Sequence, residues 1–446
     1  MDFETAVYNK VTGRLIPFLF ACYILAYVDR VNIGFAKLQM QRDLGMSETV
    51  YGTGAGIFFI GYFLFEVPAN IVLQRLGARL WLGGLMVLWG GVSCCTVLAR
   101  GAASFYAIRM LLGIVESGFF PGVILYLTFW YTRTHRGRIV AMFMAATPLS
   151  GVIAGPISGR IMAKMSGMGG LRAWQWLFLL EGIPSAIAGL VTMFYLVDGP
   201  AKAKWLSQKE RDYLTRRLHQ EEEVKKSEGP SRHRIADAFG SGRVWLCCAI
   251  YFGFQMGNYG LAFWLPQILK DTVSTDPWRI GLVSSIPWAL AATAMIFYGH
   301  HSDKTGERRK HVAVAAALAG AAFAVGGVVG PSGTVAVGLV SLSAIGIMCG
   351  QSVFWSLPTA VLSGAGAAAG IAWINSVGNL GGYVSPFVIG RIRDRTGSTA
   401  LAQLVLAGSC LAAAAIAWAL KSNKGAAGRP TVLISDSSMA GSDDER

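Results

Sequence analysis

Apolar residues in this chain come in long runs. Twelve stretches, roughly 15 to 36, 50 to 73, 80 to 99, 103 to 131, 138 to 163, 175 to 197, 243 to 269, 279 to 300, 311 to 330, 334 to 361, 367 to 392 and 400 to 420, are predominantly apolar. A helix rising 1.5 Å per residue needs about 20 such residues to cross a ~30 Å hydrocarbon core. The pattern therefore predicts an all-α membrane protein with twelve transmembrane helices, several of them interrupted by Gly or Pro, in two groups of six. Residues 1–197 form the N-terminal six-helix half and 243–420 the C-terminal half. Between them, 198–242 is dense in charge and reads as a cytoplasmic linker, where Ser207 and Glu210 are spaced as a capping box ahead of Leu214 and Leu218. The tail 421–446 is rich in Ser, Gly, Ala and Asp, lacks apolar periodicity and is expected to be disordered.

Composition agrees with lipid as the solvent. Of the 446 residues 53% are hydrophobic and only 14% charged, against about a quarter charged in soluble domains. The opening MDFETA lacks a basic start and a small-residue cleavage site, so the first span is expected to stay as a membrane anchor. A net charge of +14 could suggest nucleic acid, but its placement follows the positive-inside rule. With both termini cytoplasmic, 26 of the 39 Lys and Arg lie on the inner side, 11 on the outer side, and Arg30 and Arg109 inside spans. Without the linker and Arg243 at its edge the count is 15 against 11, and Arg391, Arg393 and Arg395 run against it. These features predict a multi-pass protein of the cell inner (plasma) membrane, in contact with lipid, binding no nucleic acid and acting as a monomer.

The seven cysteines all lie in apolar spans without CxxC spacing and read as buried small hydrophobes. The six histidines, His300 and His301 among them, show no metal-ligand spacing, so no metal and no cofactor are expected.

The two halves repeat one another. Asn70 to Arg79 (NIVLQRLGAR) aligns with Gly299 to Arg308 (GHHSDKTGER) at an offset of 229, placing Arg75, Gly77 and Arg79 beside Lys304, Gly306 and Arg308. Pro156 and Gly159 match Pro386 and Gly390 at offsets of 230 and 231. Parallel repeats of this kind build one class of transporters, with the solute site between the halves near the membrane midplane. The second copy, Gly299, Asp303, Lys304, Gly306 and Arg308, resembles the loop signature of the major facilitator superfamily. The first copy has Asn70 and Gln74 where that family usually has Gly and an acid.

Charges inside a membrane persist when paired or facing water, since each costs ~2.5–3.5 kcal/mol at the centre. Here they are Asp29, Arg30, Glu66, Arg109, Glu116 and Glu181. Arg109 and Glu116, seven residues apart, share one face of the fourth helix, and Gly113 between them opens that face to a neighbour. Asp29 and Arg30 diverge by ~100°, so at most one points straight into a central cavity. One reading is a structural network, Asp29 with Arg109 and Glu116 with Arg30; the other adds substrate and protons to it. Glu66, two residues before Pro68, and Glu181, before Gly182 and Pro184, lie near span ends, where solvated or structural roles are expected. Asn375 and Asn379, polar in a glycine-rich apolar span, are candidates for substrate contact or for interhelical hydrogen bonds.

A closer resemblance rests on Tyr27-Val28-Asp29-Arg30-Val31-Asn32, on Arg109-Met110-Leu111-Leu112-Gly113 through Glu116 to Gly118-Phe119-Phe120-Pro121-Gly122, on Phe354-Trp355-Ser356-Leu357-Pro358, and on Asn375-Ser376-Val377-Gly378-Asn379-Leu380-Gly381-Gly382. These segments resemble the anion:cation symporter family of that superfamily, nearest to bacterial tartrate- and phthalate-type carboxylate transporters. The resemblance implies that Arg30 holds a substrate carboxylate, that Asp29 and Glu116 take and release protons, and that Tyr27, Tyr62, Ser352, Trp355 and Asn375 line the pocket. A planar guanidinium suits that role, gripping a carboxylate through two parallel hydrogen bonds. Pro148 and Leu149 stand where a sugar-acid transporter of the family has a Gln.

The function expected is import of a small organic anion (tartrate, a sugar acid or an aromatic acid) by proton symport with alternating access. Proton-coupled export is the alternative, because Gly151, Gly155, Pro156 and Gly159 resemble a fifth-span antiporter motif, though Arg160 replaces a second Gly. A sensor that retains the fold would need a signalling segment, and none is recognisable. An enzyme is not expected, since no mid-span His and no HExxH occur.

Overall fold

The computed structural model describes residues 3–227, 240–330, 333–361 and 364–420. The expected disorder of the tail and part of the linker fall outside them. Eighteen α-helices follow one another: α1 Phe3–Val31, α2 Ile33–Asp43, α3 Glu48–Leu76, α4 Ala78–Cys95, α5 Ala102–Glu116, α6 Phe119–Thr128, α7 Arg133–Met144, α8 Ala146–Lys164, α9 Ala173–Tyr195, α10 Gln208–Ser227, α11 Gly242–Thr272, α12 Pro277–Thr305, α13 Arg308–Val329, α14 Gly333–Phe354, α15 Ser356–Val361, α16 Gly364–Asn379, α17 Gly381–Thr396 and α18 Ala400–Ala419. α10 is the linker helix, started by the expected capping box: Ser207 Oγ accepts from the Glu210 N–H at 3.3 Å, and Glu210 accepts from the Ser207 N–H at 2.7 Å. The rest form the twelve expected spans, five of them made of two helices each.

Those interruptions do not sit at the prolines. Pro17, Pro68, Pro156, Pro184, Pro266, Pro287 and Pro386 all lie inside continuous helices. The breaks fall instead at Asn32, Ser117–Gly118, Ala145, Trp355 and Leu380. Asn32 and Leu380 keep helical backbone angles, φ/ψ of −56/−26° and −61/−22°, so the chain shifts its axis there without leaving the bundle.

The halves meet along two seams of the same construction. A Cβ on Gly281 of α12 would lie 2.4 Å from the Gly155 carbonyl oxygen of α8, and one on Gly159 would lie 2.7 Å from Gly281 Cα. On the other seam, a Cβ on Gly52 of α3 would lie 2.1 Å from the Pro386 carbonyl oxygen of α17, and one on Gly390 would lie 2.3 Å from that of Glu48. Gly52 and Gly281 are 229 residues apart, and Gly159 and Gly390 are 231 apart, so the sequence repeat is the repeat of the seam. Small residues allow such backbone approach in lipid, where close packing replaces the hydrophobic effect between helices. The fifth-span glycines therefore have a packing use.

Nine of the described helical stretches are apolar and long enough to cross a membrane by composition alone. Among the spans that fall outside those nine, α11 is buried on every side from Gly253 to Leu269. It faces other helices more than lipid, and its buried polar Gln255, Asn258 and Gln267 dilute its hydropathy.

The loop motifs also repeat in structure. Gly77 and Gly306 both have positive φ, +82° and +68°, which β-carbon-bearing residues rarely adopt. Asp303 pairs with Arg308. In the first copy, where Gln74 replaces the acid, Asp198 after α9 supplies the carboxylate: its Oδ1 accepts from the Arg79 N–H at 3.0 Å. The side chains of Arg75, Arg79 and Lys304 are exposed.

Candidate functional site

The bundle is sealed at the end away from the N-terminus of α1. Lys37, fully buried, pairs with Glu48 at 2.7 Å and stands 3.9 Å from the centre of the Trp264 ring. Arg393 reaches Glu48 at 3.0 Å and Asp271 at 2.7 Å. Asp394 accepts from the N–H groups of Glu48 and Thr49 at 2.9 and 2.8 Å, so α17 of one half caps the start of α3 of the other. The basic cluster that ran against the positive-inside count is thus partly consumed in holding the halves together.

Behind that seal lies Arg30. Its Nε donates to Glu116 Oε1 at 2.9 Å, its Nη2 donates to the same oxygen, and its Nη1 donates to the Tyr259 hydroxyl of the C-terminal half at 3.2 Å. The rings of Tyr27, Phe58 and Tyr62 surround the guanidinium, centred 5.9, 5.3 and 5.5 Å from it. All are buried, which makes the charge pair costly to break: removing one partner of a buried pair costs ~3–5 kcal/mol. Aromatic faces add up to ~2 kcal/mol for a desolvated cation.

Asp29 points the other way, as the 100° divergence requires. It accepts from Ser93 Oγ at 3.3 Å and from Ser185 Oγ, on α4 and α9 of its own half. Among the described residues no cation pairs with it. The proposed network of Asp29 with Arg109 is therefore replaced: Arg109 donates to backbone carbonyls of α3, Gly54 at 3.4 Å and Ala55 at 3.3 Å, beneath the Phe58 ring. Gly113 explains the approach, because a Cβ there would lie 1.9 Å from the Phe58 carbonyl oxygen. The expected face-opening glycine seats α5 on α3 and turns Arg109 into a pin between them.

Across the seam the residues are polar but neutral. Asn375 and Ser376 of α16 donate to the two oxygens of Glu66, at 3.0 and 2.9 Å. Of the solvated or structural roles expected for Glu66, the structure shows a structural one: Glu66 is 6% exposed and bridges the halves. Its i, i+4 spacing from Tyr62 was the available signal. Asn379 accepts from Gln255 at 2.8 Å, and Gln255 in turn accepts from Gln351 at 2.9 Å. Trp355 packs 4.8 Å from the Tyr251 ring. Ser352 is exposed and donates to the Cys349 carbonyl of its own helix at 2.8 Å. Among the described residues the side-chain partners of Arg30 are Glu116, Tyr259 and the rings of Tyr27, Phe58 and Tyr62, and Ser352, Trp355 and Asn379 are not among them. Glu181 is buried and accepts from Ser158 Oγ at 2.7 Å. The cysteines are free, and Cys95, expected buried, is exposed.

The interruptions coincide with these residues. Asp29 and Arg30 precede the break at Asn32, Glu116 is the last residue of α5, Trp355 is itself a break and Asn379 ends α16. Discontinuous helices at a midplane site are how transporters present polar groups in lipid without exposing backbone to it. Sequence reasoning missed Gln255, Gln351, Ser93 and Ser185. An isolated Gln in an apolar span is a usable signal; a serine, which can bond its own helix, is not.

The sequence profile of the Major Facilitator Superfamily matches residues 19–386. A protein of Agrobacterium vitis named "Putative tartrate transporter" is 48% identical over 421 residues, covering 94% of this chain and 95% of that one. "Putative metabolite transport protein NicT" of Pseudomonas putida is 43% identical over 406 residues, covering 91% and 92%. A "Quinolone resistance transporter" of Acinetobacter baumannii is 40% identical over 401 residues, covering 90% and 91%. Among solved structures, a bacterial homologue of the human lysosomal transporter Spinster, inward-facing and occupied, superposes with a TM-score of 0.74 at 15% identity, covering 91% of this chain and 96% of that one. With paired halves, repeated seams and loop motifs, and relatives that span nearly its whole length, the chain belongs to the Major Facilitator Superfamily and is a multi-pass membrane transporter, not an enzyme.

Proposed function

We propose that the protein imports a small organic anion, a carboxylate, by proton symport across the inner membrane, with both termini cytoplasmic. One observation carries the reading: Arg30, on the seam between the halves, is held by an internal carboxylate, Glu116, while Asp29 beside it is held by the hydroxyls of Ser93 and Ser185. A protonated Glu116 no longer neutralises Arg30, and the freed guanidinium takes a substrate carboxylate in its place. Desolvation favours the protonated form of a carboxyl, so a buried acid that pairs with no cation among the described residues, as Asp29 does, suits the carriage of a proton. A relative named for tartrate supports trying carboxylates first. Asp29 and Glu116 take the proton-coupling role, Arg30, Tyr27 and Tyr62 the substrate role, and Arg109 positions α5.

Proteoliposomes test the coupling. An imposed pH step, acid outside, should drive accumulation of labelled tartrate or another small carboxylate; accumulation that requires sodium and ignores the pH step would overturn symport with protons. Export is the second reading, prompted by the Gly151–Gly159 motif and by the relative named for quinolone resistance. It predicts expulsion of an organic compound against a pH gradient in the same vesicles.

A further inference from the structure

Two sets of donors between the halves already grip carboxylates of the chain's own. Arg30 holds Glu116, and Asn375 Nδ2 and Ser376 Oγ hold Glu66, one donor to each oxygen. That second arrangement is a seat shaped for a carboxylate: two neutral donors from consecutive residues of α16, converging on a planar group that is itself 6% exposed. It lies close to the first. Tyr62 borders the Arg30 guanidinium at 5.5 Å, and Glu66 follows Tyr62 by one helical turn, an advance of ~6 Å along α3.

We propose that Asn375 and Ser376 form a second carboxylate seat, that the substrate is a short dicarboxylate with one head on Arg30 and the other on this seat, and that Glu66 is the internal occupant it displaces. The proposal rests on the reading of Arg30 as the first substrate contact and specifies the class of acid. At the donors displacement swaps like for like: the Asn375 and Ser376 bonds to Glu66 become bonds to the substrate, so neither donor is left buried and unsatisfied, while the displaced Glu66 carboxyl takes up a proton or turns to water. A monoacid reaches Arg30 but has nothing to offer Asn375 and Ser376, so Glu66 keeps its place. Because Glu66 bridges α3 and α16, only a two-headed acid releases this link between the halves as it binds. Glu66 is therefore a specificity-determining residue, selecting diacids over monoacids.

The experiment is calorimetric titration of the purified full-length protein with short dicarboxylates (succinate, tartrate, adipate), each beside its own monoamide, which keeps length and hydroxyls but loses one charge. The best dicarboxylate should bind the parent at least tenfold more tightly than its monoamide. Ser376→Ala should bring that ratio down severalfold, and Glu66→Ala, which empties the seat, should raise it. Glu66→Gln, still able to accept one bond, should raise it less, and serves if Glu66→Ala does not insert. A ratio that is the same in the parent, Ser376→Ala and the Glu66 variants overturns the second seat. If the ratio is insensitive yet monoamides still bind and lose affinity in Arg30→Lys, the reading of Arg30 stands and the second seat alone falls. If no carboxylate binds the parent, both fall.

Discussion

The two halves share a backbone plan and divide the chemistry between them. Asp29, Arg30, Lys37, Glu66, Arg109, Glu116 and Glu181 are all buried, and all belong to the N-terminal half. Among the described residues the buried polar side chains of the C-terminal half are neutral: Gln255, Asn258, Gln267, Ser376, Asn379 and several more serines. Duplicated architecture therefore does not imply duplicated function. The seams, built from Gly52, Gly159, Gly281 and Gly390, are the conserved geometry of the repeat; the charged groups were placed on one side of it only. The charged half holds one buried ion pair, Arg30 with Glu116, beside acids held by neutral donors. A neutral half can offer donors and acceptors to either state of its partner without paying to bury a charge.

The strongest way to break this division is at Glu116. Glu116→Gln should abolish net proton-driven accumulation while labelled and unlabelled substrate still exchange, since exchange never requires the empty carrier to return. Exchange and net uptake measured on one reconstituted variant, with its melting temperature, decide the matter. If Glu116 only neutralises Arg30, both activities and stability fall together, by ~3–5 kcal/mol for the stranded cation.

Arg30→Lys comes next. The charge survives, but the fork that meets both Glu116 and Tyr259 is lost, so substrate affinity should fall about tenfold or more, ~1.4 kcal/mol. Calorimetry showing unchanged affinity in a variant that inserts would remove Arg30 from the site.

The seams sharpen the comparison from the other side, because here the halves should behave alike. Gly52→Ala and Gly281→Ala each drive a methyl into a facing carbonyl, at 2.1 and 2.4 Å, and overpacking of this kind costs ~1–3 kcal/mol. Both should shift the population away from the form sealed at the Lys37 end, read as faster cysteine labelling at a site behind the seal. A large effect in one and none in the other would mean that the seams are not equivalent.

The smallest effect is expected at the linker. Lys10 pairs with Glu210 at 2.8 Å, and this hydrogen bond, followed by that from the Ser207 N–H, holds the Glu210 carboxyl below its ordinary 4.5. A lowered value means that the contribution is complete above 4.5 and is lost as pH falls through the lowered value. Lys10 is about half exposed, so Lys10→Ala should change little. Amide exchange in α10 should rise slightly near neutral pH and match the parent in acid.

Some of this was legible in the chain. Twelve apolar runs of membrane length can only be helices, because an isolated segment in lipid must satisfy its own backbone. Hence the spans, the repeat and the Ser207–Glu210 cap could be read directly. So could the divergence of Asp29 and Arg30, which follows from 100° per residue, and the Gly113 contact, which follows from a missing side chain. What the sequence by itself could not decide is which helix stands opposite. Arg109 found backbone carbonyls of α3 in place of Asp29, and Glu66 found Asn375 and Ser376, 309 and 310 residues away. Asp198 found the backbone N–H of Arg79. The reason is physical: helical periodicity fixes the direction of a side chain within its own helix, whereas its partner depends on how helices distant in sequence cross. That crossing is set by where glycines let backbones approach, a property of two surfaces together and of neither alone.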